Sequence, residues 1–243
     1  MATDHNSQTD KMKPVSELSQ KARVMLQTLQ SLLITVMLGA VLFAASGNPH
    51  WWQAWIFIVV YGLCNWVSSF LLFTRVPELI DARRKKHNGI RKVDKLLILL
   101  YQAMYFPSLI ISGIEQRLNP HGAPLLVNAA FVFIILSFVL ITWAPLVNRH
   151  LETYIRIQTD RDHRVCTQGP YRVVRHPAYL GLIFLFVGMP LSLGSAWGLI
   201  PSGFASLFII LRTKIEDQIL QTELQGYKEY TKQTRYRLIP GIW

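Results

Sequence analysis

The chain has 243 residues, 51% of them hydrophobic, with a mean hydropathy of +0.27 and two cysteines. This excludes a disulfide framework and is too apolar for an ordinary water-soluble domain. A formal net charge of +11 raises nucleic acid as a partner. The basic residues, however, flank long apolar runs instead of interleaving with aromatics, so nucleic-acid binding is set aside in favour of membrane lipids.

Residues 1–23 are polar and read as a disordered N-terminal segment, 1–13 above all, and nothing in them resembles a cleaved signal peptide. Stretches without Asp, Glu, Lys or Arg then cover 24–50, 51–74, 96–114 and 118–148. A bilayer core of about 30 Å needs about 20 apolar residues in a helix, because only internal hydrogen bonds satisfy the backbone there. Helices are therefore predicted near 25–45, 51–73, 96–114 and 124–147, and the four make up a membrane region over 24–147. Trp51, Trp52, Trp55 and Trp143 are placed to anchor at the interface. Asn65 and Asn128 are expected to hydrogen-bond between helices. Pro107 should kink the third span. The run Arg83-Arg84-Lys85-Lys86 reads as a topology determinant that meets anionic lipid.

Residues 148–243 form the remaining, C-terminal part. Its apolar stretch, 177–211, carries Gly188, Pro190, Gly194, Gly198 and Pro201, which argues against one straight helix. A helical hairpin turning near residues 193–196 is predicted. With that hairpin, 24 of the 25 basic residues fall on one side of the membrane, which the positive-inside bias assigns to the cytoplasm with both termini. The compartment is then a bacterial inner membrane or the endoplasmic reticulum, depending on the organism. Ile215, Ile219, Leu220, Leu224 and Tyr227 form an apolar stripe that predicts an amphipathic C-terminal helix on the membrane surface. The fold class is an all-α, multi-pass membrane protein of four spans plus a C-terminal helical hairpin and an amphipathic C-terminal helix.

No two glycines stand in a GxG arrangement, so neither a dinucleotide fingerprint nor a phosphate loop is present. His121, His150 and His163 are too scattered for a metal site, and Cys64 and Cys166 are far apart, so no metal is expected. Chemistry is left to the polar, aromatic segment around Gly169-Pro170-Tyr171 and Arg175-His176-Pro177-Ala178-Tyr179-Leu180-Gly181. Pro177 suits a first helical position, so a helix should begin there with free N–H groups beside Arg175 and His176. That arrangement suits an anionic ligand, and equally a pair of side chains reaching lipid phosphates. Arg212 and Glu216 share a helix face and are spaced either to pair with each other or to serve a site.

These residues, with Gly226-Tyr227 and Tyr230, resemble the isoprenylcysteine carboxyl methyltransferase family and the related phospholipid methyltransferases, over residues 158–239. The resemblance implies S-adenosylmethionine as cofactor, held in a cytosolic cofactor pocket, with 148–243 as the cofactor-binding catalytic region. By position it implies that Gln158, His163, Arg164, Val165, Cys166, Tyr171, His176, Pro177, Ala178, Tyr179 and Glu216 contact that cofactor, and that Arg212 engages the acceptor. In this reading His176 and the helix start receive the methionine carboxylate, Glu216 accepts from ribose or ammonium, and Tyr171 and Tyr179 wall the pocket. The acceptor is a lipid or lipidated molecule. A carboxylate acceptor, such as that of an isoprenylcysteine, needs no base and is the favoured reading; the alternative, a phospholipid amine, must lose a proton, for which His163 and Glu216 are the candidates. Asp217 stands where many relatives carry a second Glu. Membrane sterol reductases, which bind a reduced nicotinamide, share an Arg-His-Pro-x-Tyr-x-Gly element but commonly follow the glycine with Glu, where this chain has Leu182. A non-catalytic protein that keeps the pocket is the third alternative.

Overall fold

The computed structural model describes residues 14–85, 90–119, 124–158 and 161–243. The expectation for residues 1–13, and the parts of others that fall on Lys86 and His121, lie outside them. The described residues form helices with no strand: α1 Gln20–Ser46, α2 Trp52–Arg75, α3 Pro77–Arg84, α4 Lys92–Ala103, α5 Tyr105–Leu118, α6 Pro124–Val147, α7 Pro177–Ser192, α8 Leu199–Glu223 and α9 Tyr227–Gln233. Four units, Gln20–Ser46, Trp52–Arg75, Lys92–Leu118 and Val127–Val147, are long and apolar enough to cross a membrane. Large apolar side chains such as Leu33, Leu63, Val132 and Phe204 remain exposed along them and along α8. Such a surface is stable against lipid and not against water.

The first and fourth predicted spans lie within observed helices, and the second, 51–73, begins one residue ahead of its helix. The third divides at Met104, three residues before Pro107. Proline has no N–H to give the carbonyl four residues back, and the helix breaks where that bond is missing. Ahead of α1 the expectation of a disordered 1–23 is corrected for its described part. Val15–Glu17 forms a 3-10 turn with Val15 fully buried, and Asp81 of α3 accepts the Val15 and Ser16 N–H groups at 2.6 and 2.9 Å. Ser19 then caps α1, its hydroxyl accepting from the Ala22 N–H.

Cross-helix contacts fix the directions. Asp94 meets Arg212, Ser108 meets Ser202, and Glu115 meets Ser195, so the α4–α5 unit runs antiparallel to α8. Gly181 and Gly188 of α7 lie against α6, where an added Cβ would come within 2.9 Å of the Ser137 carbonyl and of Phe133 Cβ respectively. Small residues at such points let two helices pack closely without water. The long connections 76–91 and 148–176 and the C-terminal segment thus gather at one end of the bundle, the loop end. The α7–α8 turn lies at the other.

That turn spans 193–198, with Gly194 at φ 75°, a left-handed conformation that favours glycine. The hairpin is as predicted, but its second leg does not stop at 211. A single helix continues to Glu223, so the expected surface helix is the loop-end continuation of α8. Its stripe packs inward: Ile219, Leu224 and Tyr227 are buried, the last two against Tyr171 and Ala144.

Three other expectations are corrected. Trp51 is a core residue, 1% exposed among Leu38, Phe57 and Met189, whereas Trp52, Trp55 and Trp143 are exposed as anchors should be. Asn128 is exposed, and Asn65 Nδ2 is buried without a partner. Polar bridges between helices come instead from other groups, among them Thr142 to Ser68 at 2.6 Å, Ser108 to Ser202 at 2.8 Å and Gln27 Nε2 to the Trp66 carbonyl at 3.2 Å.

Candidate active site

The loop end of α7 is built from the Gly169–Arg172 turn. Gly169 has φ 56° and lies so close to Trp143 that a Cβ would stand 3.0 Å from its Nε1. The turn buries Tyr171, whose carbonyl accepts from Tyr230 and Thr234 hydroxyls at 2.7 and 3.1 Å. The extended Arg175 and His176 then donate their N–H groups to the Tyr236 and Arg237 carbonyls, both at 2.9 Å. α7 begins at Pro177, as its fixed φ favours. The Tyr179 and Leu180 N–H groups are taken by the His176 carbonyl, so of the first four helical residues Ala178 alone keeps an unpaired N–H among the described residues. The expected cluster of free donors is reduced to one.

Arg175 is not free for a ligand either. Its Nε and Nη2 grip Asp217 at 2.7 and 3.0 Å, and Nη1 donates to the Thr234 and Arg235 carbonyls. Asp217, with no exposed side-chain surface, also accepts from Arg237 Nε at 2.8 Å, Gln221 Nε2 at 2.7 Å and Tyr227 Oη at 3.1 Å, and faces His176 Nε2 at 3.3 Å. Burial pushes the Asp217 carboxyl up, but His176, Arg175 and Arg237 together hold it far below the usual carboxylate range. The conservative change at this position thus conceals a buried clamp.

Glu216, one residue earlier, turns the other way. It accepts the Tyr179 hydroxyl and lies 3.9 Å from His176 Nδ1, whose ring stacks on Tyr179 at 5.7 Å between centroids. His176 therefore sits between two carboxylates. An anion placed on it would meet both, which corrects the expectation that His176 receives a carboxylate.

These groups border an open-mouthed cleft. His163, Arg164, Val165 and Cys166 also line it, together with Tyr171 and the start of α7, and Val165 and Cys166 pack in one cluster with Tyr171 and Ala178. Ten of the eleven residues assigned to the cofactor by resemblance thus border a single space. The eleventh, Gln158, lies beneath: it is 1% exposed, donates to the His150 carbonyl at 2.6 Å and meets His150 Nδ1 at 3.3 Å. The His150 and His163 rings stack at 4.7 Å. Burial, then the neighbouring His150, lowers the His163 pKa to about 4. The loop behind them is fastened by Arg83, which donates twice to the Leu151 carbonyl, at 3.1 and 2.9 Å. That inward reach corrects the reading of Arg83 as a lipid contact. Glu152 accepts from Arg156 at 2.8 Å and Arg161 at 3.4 Å.

Arg212 does not line the cleft. It lies behind Tyr179, its guanidinium carbon 5.1 Å from the ring centroid, and it pairs with Asp94 instead of Glu216. Sequence reasoning missed Asp94, and it noted Asp217 only for its place in the resemblance, without its arginine partners. Asp94 was available as the acid just before an apolar run, and Asp217 as the carboxylate matching two otherwise unmatched arginines.

Residues 125–225 match the model of a family described as phospholipid methyltransferase. The matched segment contains α7, most of α6, all of α8 and most of the cleft, and it overlaps the region of resemblance found above. No curated protein gives a significant match. This region is similar to phospholipid methyltransferases, the larger family into which the isoprenylcysteine carboxyl methyltransferase resemblance falls, and with the membrane-spanning helices the match makes a membrane methyltransferase the supported class.

Proposed function

We propose that the protein is an S-adenosylmethionine-dependent methyltransferase of a lipid-borne acceptor, with the cleft as donor site and Arg212 as the acceptor's anchor. The observation that carries this reading is the convergence of His163, Arg164, Tyr171, Tyr179 and Glu216, distant in sequence, on one space beside a buried arginine. The donor set fits the cofactor's chemistry. Glu216 matches a ribose diol or an ammonium, exposed Arg164 and the free Ala178 N–H match a carboxylate, and Val165, Leu220 and Leu224 offer apolar surface to an adenine. Bound S-adenosylmethionine supplies an electrophilic methyl group on sulfonium. The chain's own residues supply alignment and exclusion of water: Tyr179 and His176 form a stacked floor, and Glu216 fixes the Tyr179 hydroxyl.

For the acceptor, Arg212 offers a guanidinium at the loop end of a membrane helix, suited to an anion attached to an apolar tail. A carboxylate held there is already a nucleophile, as in an isoprenylcysteine. The family match favours a second reading, in which Arg212 holds a phospholipid phosphate and the amine is methylated, with Glu216 as the acid nearest to serve as base. Purified protein in detergent, titrated with S-adenosylmethionine and NADPH in parallel, should bind only the first. Calorimetry on Glu216→Ala should show at least tenfold weaker donor affinity; unchanged affinity removes Glu216 from the site. Radiolabelled methyl on native membrane lipids then separates the acceptors, since an ester is released by base and an N-methyl is not.

A further inference from the structure

Arg212 is held by a carboxylate from the first half of the chain. Asp94, in the first turn of α4 and 1% exposed, accepts Arg212 Nε at 2.7 Å through Oδ1 and the Ile155 N–H at 2.8 Å through Oδ2. Arg212 Nη2 donates to the Thr153 carbonyl at 2.6 Å, and the Tyr179 ring lies against the guanidinium. These contacts occupy one edge of the planar group and fix its plane. Nη1 makes no hydrogen bond among the described residues, and it is not among the sealed polar atoms. A guanidinium held along one edge cannot swing, so its remaining donors point in a single direction. A buried carboxylate in contact also cancels much of its charge. What is left is direction more than attraction, and direction is the part of binding that accelerates a reaction without deepening the ground state.

We infer that Asp94 is a positioning residue for the acceptor: it aims the free end of Arg212 and tempers its charge, so that the acceptor's anionic group is aligned without being held tightly. The inference rests on the acceptor role of Arg212 proposed above. It also ties the third span to the donor cleft, because the Ile155 N–H belongs to the loop that carries Glu152 and Tyr154.

Asp94→Asn in the full-length protein in detergent tests it. The amide oxygen can still accept from Ile155, while the charge and the second acceptor are lost. Donor affinity by calorimetry should stay within twofold of wild type. With farnesylated N-acetylcysteine or phosphatidylethanolamine in mixed micelles as acceptor, kcat should fall at least tenfold while acceptor KM stays equal or drops. In protein labelled with ¹⁵N-arginine, the Arg212 Nε–H, identified by its loss in Arg212→Lys, should exchange with solvent at least tenfold faster. The Arg175 Nε–H on Asp217 should keep its rate. Unchanged Arg212 exchange or unchanged kcat overturns the inference, as does donor affinity that falls in step with kcat. An impaired Arg212→Lys beside a fully active Asp94→Asn sinks Asp94 alone. A fully active Arg212→Lys, or no transfer by wild type to either acceptor, brings down the underlying reading as well.

Discussion

The two ends of the α7–α8 hairpin are each fastened by a carboxylate, and they do it differently. At the turn, Glu115 reaches across from α5 and accepts from the Ser195 hydroxyl at 2.6 Å and the Trp197 and Ala196 N–H groups at 2.8 and 3.3 Å. Its partners are neutral, and both backbone donors belong to exposed residues. At the loop end, Asp217 gathers two arginines, a tyrosine and a glutamine with no side-chain surface of its own exposed. Neutral donors near solvent can turn to water when their acceptor is lost, whereas buried guanidinium groups cannot. The comparison also separates neighbours in sequence: Asp217 is wholly consumed by the scaffold, while Glu216 keeps one hydroxyl partner and faces the cleft.

The sharpest way to break this contrast is Asp217→Ala, which leaves Arg175 and Arg237 without their shared acid. Breaking a buried pair in this way costs about 3–5 kcal/mol, enough to lower Tm by many degrees or to prevent recovery of monodisperse protein. A melting temperature within two degrees of wild type would show that the clamp is not there. Because the folded carboxyl lies below its ordinary range, its stabilisation is complete above about pH 3.9 and is lost only as pH falls below that value. Between pH 7 and 5 this residue should contribute no slope.

A smaller effect is expected at the other end. Glu115→Ala removes one acceptor from three donors, of which two can find water, for a loss of about 1–2 kcal/mol. Since the turn is a hairpin's length from the cleft, donor affinity by calorimetry should not change. A variant that melts like Asp217→Ala, or that loses donor binding, would erase the distinction between the two ends.

How far the sequence reveals these features follows from what each depends on. Spans, the Pro107 break and the hairpin are legible because apolar length and missing backbone donors act locally, within a few residues of the cause. The cleft residues are legible only through resemblance, since His163 and Glu216 carry no local sign of meeting. Trp51 and Arg83 were misplaced for one reason: a tryptophan or an arginine at a membrane boundary satisfies the interface pattern whether it points out or in, and only packing decides. The buried role of Asp217 depends on Arg175 and Arg237, respectively 42 and 20 residues away, a pairing that periodicity cannot supply.

The finest test concerns His163, which lines the same cleft as Glu216. With its folded pKa lowered to about 4 by burial and by His150, the ring stays neutral in the native protein at pH values where an unfolded chain, titrating near 6.5, takes up a proton. Between those values the unfolded state binds more protons, so stability rises with pH: the contribution is whole above about pH 6.5 and disappears as pH falls toward 4. Since the ring is only partly buried, solvent screening reduces the effect to about 1 kcal/mol. His163→Gln should flatten the dependence of Tm on pH between 6.5 and 4.5, with the wild type losing relative to the variant on acidification. Parallel curves for the two proteins would mean that the stacked histidines are solvated, and that this wall of the cleft is as open to water as the turn end of the hairpin.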